Sequence, residues 1–404
     1  MPLAQGMILA LAGGAIFGWL LPGWATQLAV VSNVFLQLIK SIIAPVLFAV
    51  LVRSVASGGT FKELGRVGWR AIVYFEVVSS LALLIGWFAV WWAQPGAGIA
   101  LPVATAKAEP LTMARLIENV FPASIMDAMA RGDVLQIVVF SILFGLACNA
   151  AGHRALPLVR FADALSEIAF RYTRYVMYAA PAGVFAAMAL TVANSGQAAL
   201  AGLARFVVLA WVAQAFFLVV VLGGALWIAR VPIGRFASYA REPFLVAFAT
   251  TSSAAALPRT LEKMAEYGVP QRVLGIVAPL SLSFNLSGSC VHLAMCTLFV
   301  AQAAGIRMSF SEQAILLLTL KLTSKGVAGI PRANFVILSG LFATFGLPVS
   351  GLAMLLGVDA LIDMIRTSVN VVGHCAACPI IAHWAGQGAA HEKLAATLTS
   401  PDPL

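Results

Sequence analysis

Charged residues are scarce in this chain of 404 amino acids. Asp, Glu, Lys and Arg make up 10% of it, where soluble domains carry about 25%. Hydrophobic residues make up 61%, and the mean hydropathy is +0.95. These values exclude an ordinary soluble domain, a disordered chain and a secreted disulfide scaffold. They predict an all-α polytopic membrane protein.

The sequence also lacks the motifs of several function classes. It contains no G-x-x-x-x-G-K-[ST] loop for ATP-driven pumping, no hydrolase elbow and no zincin motif. The net charge of +9 comes without a basic cluster interleaved with aromatic residues, so no nucleic-acid partner is expected. All five cysteines lie in apolar surroundings, so disulfides are not expected either. We expect neither an enzyme nor an organic cofactor.

Long apolar stretches predict the transmembrane helices. About 20 apolar residues cross the hydrocarbon core, so the chain has room for roughly eight to twelve crossings. Lys and Arg accumulate in alternate connections, which places these connections and the N-terminus in the cytoplasm. We therefore expect a multi-pass protein of the cell (inner) membrane without a soluble domain. The first six predicted spans lie at about 5–24, 30–54, 70–94, 113–151, 160–193 and 199–229.

Two later apolar stretches are interrupted by small polar residues and proline. Residues 250–258 read TTSSAAALP, and residues 323–331 read TSKGVAGIP. Each half is too short to cross a membrane alone, so we predict re-entrant helical hairpins at about 233–268 and 311–347. Such backbone persists at membrane depth only inside protein or beside a wet cavity, and a matched pair is typical of transporters with inverted repeats. Two kinked helices are the alternative.

A polar run, SLSFNLSGS at 281–289, lies inside an apolar segment between the two predicted hairpins. Ser, Asn and Gly in succession predict a locally unwound helix, whose free oxygens can coordinate a cation or a substrate. Close helix packing through small residues is the alternative.

The last span carries a stripe of polar residues on one helix face. After its first member, the others follow at spacings of four, seven, eight, eleven and fifteen residues. A charge at the bilayer centre costs about 2.5–3.5 kcal/mol, so the stripe predicts function. Arg366 is predicted to hold a substrate carboxylate and Asp363 a substrate ammonium, with an internal pair between them as the alternative. The stripe consists of Asp359, Asp363, Arg366, Thr367, Asn370 and His374.

Two other features point to proton or metal chemistry. Glu76 lies within the third span, where a carboxylate is a candidate proton relay. His374 precedes a C-x-x-C formed by Cys375 and Cys378. A metal or redox site is the alternative there, but the apolar, helical surroundings favour a structural role.

These motifs resemble those of the dicarboxylate/amino acid:cation symporters, the family of the archaeal aspartate and mammalian glutamate transporters. The resemblance rests on the run NLSGS at 285–289 and on the stripe from Asp359 to Gly373. It extends over nearly the whole chain through SIIAPV at 41–46, VYFE at 73–76 and APAGVF at 180–185.

The resemblance implies an elevator-type transporter that assembles as a homotrimer. Each protomer would have eight transmembrane helices and two re-entrant hairpins in inverted repeats, with the second hairpin as the extracellular gate. The scaffold part would comprise about 1–60 and 113–193, and the transport part about 65–95 and 199–390.

The resemblance also implies the substrate contacts. Arg366 matches the arginine that binds the side-chain carboxylate, and Asp363 matches the aspartate that binds the α-amino group. The C4-dicarboxylate branch lacks an acid at the position of Asp363, so an acidic amino acid is favoured over succinate or malate. The other implied contacts are Thr367, Asn370, Ser289, Ser252, Ser253, Gly329 and Ile330.

The chain departs from the family at its sodium sites. The family has aspartates where this chain has Ser287 and His374, and Tyr and Thr where it has Phe75 and Val78. Hard cations prefer oxygen ligands, ideally charged ones, so weakened sodium sites are expected. We therefore expect coupling to H+ in preference to Na+, with His374 and Glu76 as proton carriers. The other ion-coupling candidates are Asn285, Ser287, Ser283, Ser324 and Ser79.

The sequence thus predicts a secondary active symporter that imports aspartate or glutamate. A symporter for a C4-dicarboxylate or another carboxylate is the alternative within this class. An anion channel or a sensor on the same fold is the alternative from another class. The expected partners are a small carboxylate substrate, the lipid bilayer and two further copies of the chain.

Overall fold

The computed structural model describes residues 3–56, 61–99, 101, 121–326, 333–348 and 350–386. All regular secondary structure in these ranges is helical, which confirms the predicted fold class at that level. Five stretches within these ranges are long and apolar enough to cross a membrane. They are Pro22–Arg53, Val67–Ala93, Leu135–Tyr178, Leu200–Ile228 and Gln271–Ala303.

The helices of the N-terminal half follow the predicted spans with a few shifts. The first predicted span ends earlier than expected, because Pro22 begins a separate short helix. The third begins earlier, and within the fourth region residues 113–120 lie outside the described ranges. The helices are α1 (Leu3–Leu20), α2 (Pro22–Gln27), α3 (Ala29–Ala56), α4 (Phe61–Ala93), α5 (Ile125–Arg131) and α6 (Val134–Ala151).

The structure has the break predicted between the fifth and sixth spans and adds a second division within the fifth span. The structure has α7 (Leu156–Tyr178) and then α8 (Ala180–Phe216), so the fifth span is divided at Ala179. Pro181 explains this division, because a proline is favoured in the first turn of a helix and cannot continue the preceding one. The predicted break near 193–199 is present, because Gly196 has a non-helical φ of 59° and ψ of −149° and two helices meet there within the range labelled α8. A π-helical turn (Phe217–Leu222) and α9 (Gly223–Ile228) follow.

The first interrupted stretch forms two helices that pack against each other. They are α10 (Ile233–Thr250) and α11 (Ser253–Tyr267). Thr251 reverses the chain with a φ of 50°, in the left-handed region. The Ser252 hydroxyl then caps α11 by accepting from the Ala255 backbone N–H at 3.2 Å. Small polar residues therefore make the turn, as the sequence predicts.

The predicted unwinding within 281–289 is also observed. Helix α12 (Gln271–Phe284) ends at Asn285, and α13 (Ser287–Ala303) begins two residues later. In the second interrupted stretch, α14 (Phe310–Thr323) continues into a short 3-10 turn (Ser324–Gly326), and residues 327–332 lie outside the described ranges. Helices α15 (Ala333–Thr344) and α16 (Ser350–Trp384) complete the fold.

Helices α13 and α16 form the centre of the molecule. Almost every residue of both helices is buried, including their polar residues. A helix buried all round belongs in the interior, whereas α1 and α4 expose large apolar side chains such as Trp19 and Trp92. The polar stripe of the last span is therefore enclosed by protein.

The packing of α4 against α13 requires a glycine. A Cβ at Gly86 would lie 2.3 Å from the Val291 carbonyl oxygen, which is far inside contact distance. We expect Gly86→Ala to lower the melting temperature of the detergent-solubilised protein by several degrees, because overpacking a core costs about 1–3 kcal/mol. In Gly275→Ala, the matched control, the new Cβ meets nothing within 4 Å and melting should not change. Equal melting of the two variants would contradict this packing.

Candidate functional site

The buried guanidinium of Arg366 is shared between two carboxylates of its own helix. Its Nη1 donates to Asp359 Oδ1 at 2.9 Å, and its Nη2 donates to Asp363 Oδ1 at 2.5 Å. Thr367 donates to the same Asp363 oxygen at 2.9 Å. The side chain of Asp363 is 13% exposed, against 1% for Asp359. Asp359 therefore holds the arginine from within the protein, and Asp363 holds it from the more open side.

Asp359 contacts a second cation candidate, which the sequence analysis missed. His292 Nε2 lies 3.6 Å from Asp359 Oδ1, and the Cys296 sulfur lies 3.2 Å from the same ring nitrogen. The sequence does contain a signal for His292, because it is an ionisable residue within the apolar α13. The same feature marks Glu76 as a candidate.

The start of α13 is joined to α16 by reciprocal hydrogen bonds. The Ser289 backbone N–H donates to Asn370 Oδ1 at 3.2 Å, and Asn370 Nδ2 donates to Ser289 Oγ at 3.1 Å. Gln214 of α8, also missed from sequence, donates to the Gly288 carbonyl at 2.7 Å. A Cβ at Gly288 would lie 2.4 Å from the Arg366 carbonyl oxygen, so only glycine permits this approach. Ser289 and Asn370 are therefore brought together, as expected of one site.

The helix break forms a second polar cluster, without a charged partner. Ser287 donates to Asn285 Oδ1 at 2.7 Å, and the ring of His374 interacts with the Asn285 backbone. All three residues are buried. Within the described part of the chain, His374 Nε2 and Asn285 Nδ2 have no hydrogen-bond partner. The cluster thus offers neutral oxygens and one unused imidazole nitrogen.

Cys375 and Cys378 are buried free thiols next to this cluster. In the described ranges, no group of three or more His, Cys, Asp and Glu side chains is arranged to hold a metal ion. The described residues therefore do not support a metal site at the C-x-x-C.

Glu76 of α4 pairs with two lysines, which is a feature the sequence analysis did not find. Its Oε1 lies 2.9 Å from Lys325 Nζ, and its Oε2 lies 3.2 Å from Lys321 Nζ. Lys325 also donates to Ser79 Oγ at 3.0 Å, and Lys321 donates to Ser80 Oγ at 2.7 Å. The available signal was a pair of lysines four residues apart, on one face of an apolar segment.

In the part of the chain that the structure describes, the remaining candidates make no side-chain hydrogen bond to the Arg366 group or the helix-break cluster. Ser252 caps α11, and neither it nor Ser253 makes a hydrogen bond to the Arg366 group within the described residues. Ser324 donates to the Lys321 carbonyl at 3.0 Å, and Ser283 lies partly exposed in the last turn of α12. Gly329 and Ile330 lie outside the described residues.

Comparisons with known proteins identify the family of this chain. The model of the sodium:dicarboxylate symporter family matches residues 3–384. A proton/sodium-glutamate symport protein of Geobacillus stearothermophilus is 37% identical over 393 residues, covering 95% of this chain and 93% of that protein. A C4-dicarboxylate transport protein of Anaeromyxobacter dehalogenans is 36% identical over 412 residues, covering 98% of this chain and 93% of that protein.

These matches extend over the arginine site, the helix break and the lysine-paired glutamate together. They confirm the family resemblance seen in the sequence. The chain belongs to the sodium:dicarboxylate symporter family, whose members are secondary transporters of the membrane and not enzymes.

Proposed function

We propose that this protein is a proton-coupled symporter that imports an acidic amino acid, aspartate or glutamate. The observation that carries the proposal is the sharing of Arg366 between the inner Asp359 and the more open Asp363. Only the bond to Asp363 has to break for a substrate to bind, because Asp359 continues to hold the arginine in position.

An α-amino acid with a second carboxylate matches both groups. Its carboxylate takes the guanidinium donors that Asp363 used, because Arg binds carboxylates in a bidentate manner. The released Asp363 then accepts from the substrate ammonium. A C4-dicarboxylate has no ammonium and would place a carboxylate beside Asp363. It remains the second candidate because relatives of similar identity carry both names.

Coupling to protons is supported by the polar cluster at the helix break. Asn285, Ser287 and His374 are neutral or titratable, and no carboxylate contacts them within the described residues. A sodium ion there would lack charged oxygen ligands. His374 has an unused nitrogen to receive a proton, whereas both oxygens of Glu76 are already paired with lysines. We therefore rank His374 first and Glu76 second as the proton carrier.

The proposal includes the architecture expected from the resemblance. The chain would cross the (inner) cell membrane with eight helices, with its N-terminus in the cytoplasm, and would assemble as a homotrimer. The pair α10–α11 and the segment around 311–347 would be the re-entrant hairpins. The parts at about 65–95 and 199–390 would move as an elevator against the scaffold at about 1–60 and 113–193. The pairing of α10 with α11 supports the first hairpin.

Uptake of radiolabelled L-aspartate into proteoliposomes at clamped voltage tests the proposal. We expect an inward proton gradient to drive accumulation without sodium. Accumulation driven only by sodium would contradict proton coupling. Current without accumulation would favour a channel on the same fold, and uptake of succinate but not aspartate would favour the dicarboxylate alternative.

Asp363→Asn separates the two substrate classes. We expect the apparent affinity for aspartate to fall about 10- to 100-fold, because a buried hydrogen bond between charged groups contributes about 1.5–3 kcal/mol. Succinate uptake, if present, should persist or improve, since Asp363 no longer competes for the guanidinium. Asp127→Asn, a control in an exposed pair with Arg131, should behave as wild type. Equal losses of aspartate and succinate uptake would indicate that Asp363 only positions Arg366 and does not bind the substrate ammonium.

His374→Asn tests the proton carrier. Wild-type uptake should rise as the external pH falls from about 8 to 6, because the proposed symport takes up external protons together with the substrate. His374→Asn should flatten this profile, whereas His153→Asn, at an exposed helix terminus, should keep it. A flat profile only in Glu76→Gln would transfer the role to Glu76. Unchanged profiles in both variants would sink proton coupling through either group.

A further inference from the structure

The ammonium group of Lys325 lies where three separate segments meet. Its three hydrogen-bond acceptors are Glu76 Oε1 at 2.9 Å, Ser79 Oγ at 3.0 Å and the Phe284 carbonyl oxygen at 3.3 Å. Glu76 and Ser79 belong to α4, Phe284 ends α12, and Lys325 follows α14. An ammonium has three N–H donors, so this site uses all of them.

We propose that Lys325 is a built-in cation, which occupies a small-cation site formed by Glu76, Ser79 and Phe284. One carboxylate, one hydroxyl and one carbonyl form the kind of oxygen set that hard cations prefer. This proposal concerns the ion coupling of the proposed function, and its role in transport rests on that function. The contacts of Lys325 themselves depend on neither a substrate nor an ion gradient.

The Phe284 carbonyl is available because α12 stops there. A helix leaves its last carbonyls without internal partners, and the break at Asn285 exposes them to a ligand. Lys325 is 9% exposed, so water has little access to its ammonium group, whereas the Glu76 side chain is 37% exposed. The helix break thus leaves the Phe284 carbonyl oxygen free to accept a hydrogen bond, and Lys325, which follows α14, donates to it.

Charge explains why the occupant is covalently attached. Glu76 lies in a span where an unpaired carboxylate is strongly disfavoured, so its ionised form requires a cation partner. A tethered ammonium supplies that cation without being released to either side of the membrane. A sodium ion at the same oxygens would overlap the ammonium. The site therefore excludes sodium and carries no ion across.

Lys321 provides the matched comparison. It pairs with the other oxygen of Glu76 and with Ser80, and its side chain is 30% exposed against 11% for Lys325. It contacts two oxygens instead of three. Water can replace its ammonium more readily than that of the enclosed Lys325.

Chemical rescue tests the proposal in the full-length protein. Lys325→Ala leaves a space of the size of propylammonium next to the three oxygens. In choline chloride, we expect at least a tenfold loss of uptake and a lower melting temperature in detergent. Sodium chloride or propylammonium chloride should restore both in a saturable manner, because each is small enough to bind where choline is not. Wild type should respond equally to all three salts.

Two controls keep the result interpretable. Lys321→Ala removes the same charge but should show no saturable response. Lys325→Met keeps the stem and fills the space, so added cations should not restore it. The double variant Glu76→Gln/Lys325→Met should melt higher than Lys325→Met alone, because it removes a carboxylate that has lost one of its two lysine partners.

The proposal is overturned if Lys325→Ala behaves as wild type in choline, or if no cation restores it. It is also overturned if the double variant melts no higher than Lys325→Met. The melting assay needs neither substrate nor gradient. Saturable stabilisation of Lys325→Ala in a protein whose wild type takes up no aspartate would support the built-in cation and reject the proposed function.

Discussion

The burial of one guanidinium group constrains much of this structure. Arg366 is 3% exposed inside a membrane protein, where a lone charge is costly. Asp359 and Asp363 compensate it from the same helix, two turns and one turn before the arginine. Gly288 lets α13 approach the Arg366 backbone closely. The two hydrogen bonds between Ser289 and Asn370 fix the position of α13 along α16. The functional groups are thus positioned by the same contacts that bury the charge.

The protein handles its buried charges in two different ways. The Arg366 group lies within one helix, with partners three and seven residues away. The Glu76 group joins residues that are far apart in sequence, Lys321 and Lys325 among them. Between these groups lies the uncharged cluster of Asn285, Ser287 and His374. The Glu76 group holds separate helices together, and the neutral cluster has hydrogen-bonding groups that its own residues leave unused.

Sequence patterns predicted most of the fold and the part of the site that lies on one helix. The stripe from Asp359 to His374, the reversal at Thr251 and the break at Asn285 follow from local spacing and composition. The division of the fifth span at Ala179 was missed, although Pro181 marks it, because hydropathy continues across the proline. The break at Gly196, by contrast, falls within the predicted gap at 193–199.

The contacts of Glu76 were beyond sequence reasoning for a different reason. Lys325 is separated from Ser79 by 246 positions, and no periodicity relates residues at that distance. Such pairs depend on how α4, α12 and α14 pack. His292 and Gln214 were missed likewise, because their partners Asp359 and Gly288 lie on other helices. Contacts within one helix can be predicted from residue spacing, whereas contacts between helices can be identified only from the folded structure.

Gly196 has a mechanical consequence. Its φ of 59° and ψ of −149° fall in a region that is essentially restricted to glycine. In the proposed division, the scaffold part ends at about 193 and the transport part resumes at about 199. The covalent connection at this point consists of two helices that meet at Gly196. Any other residue there would be held in a strained backbone conformation, so the angle between these two helices depends on a single glycine.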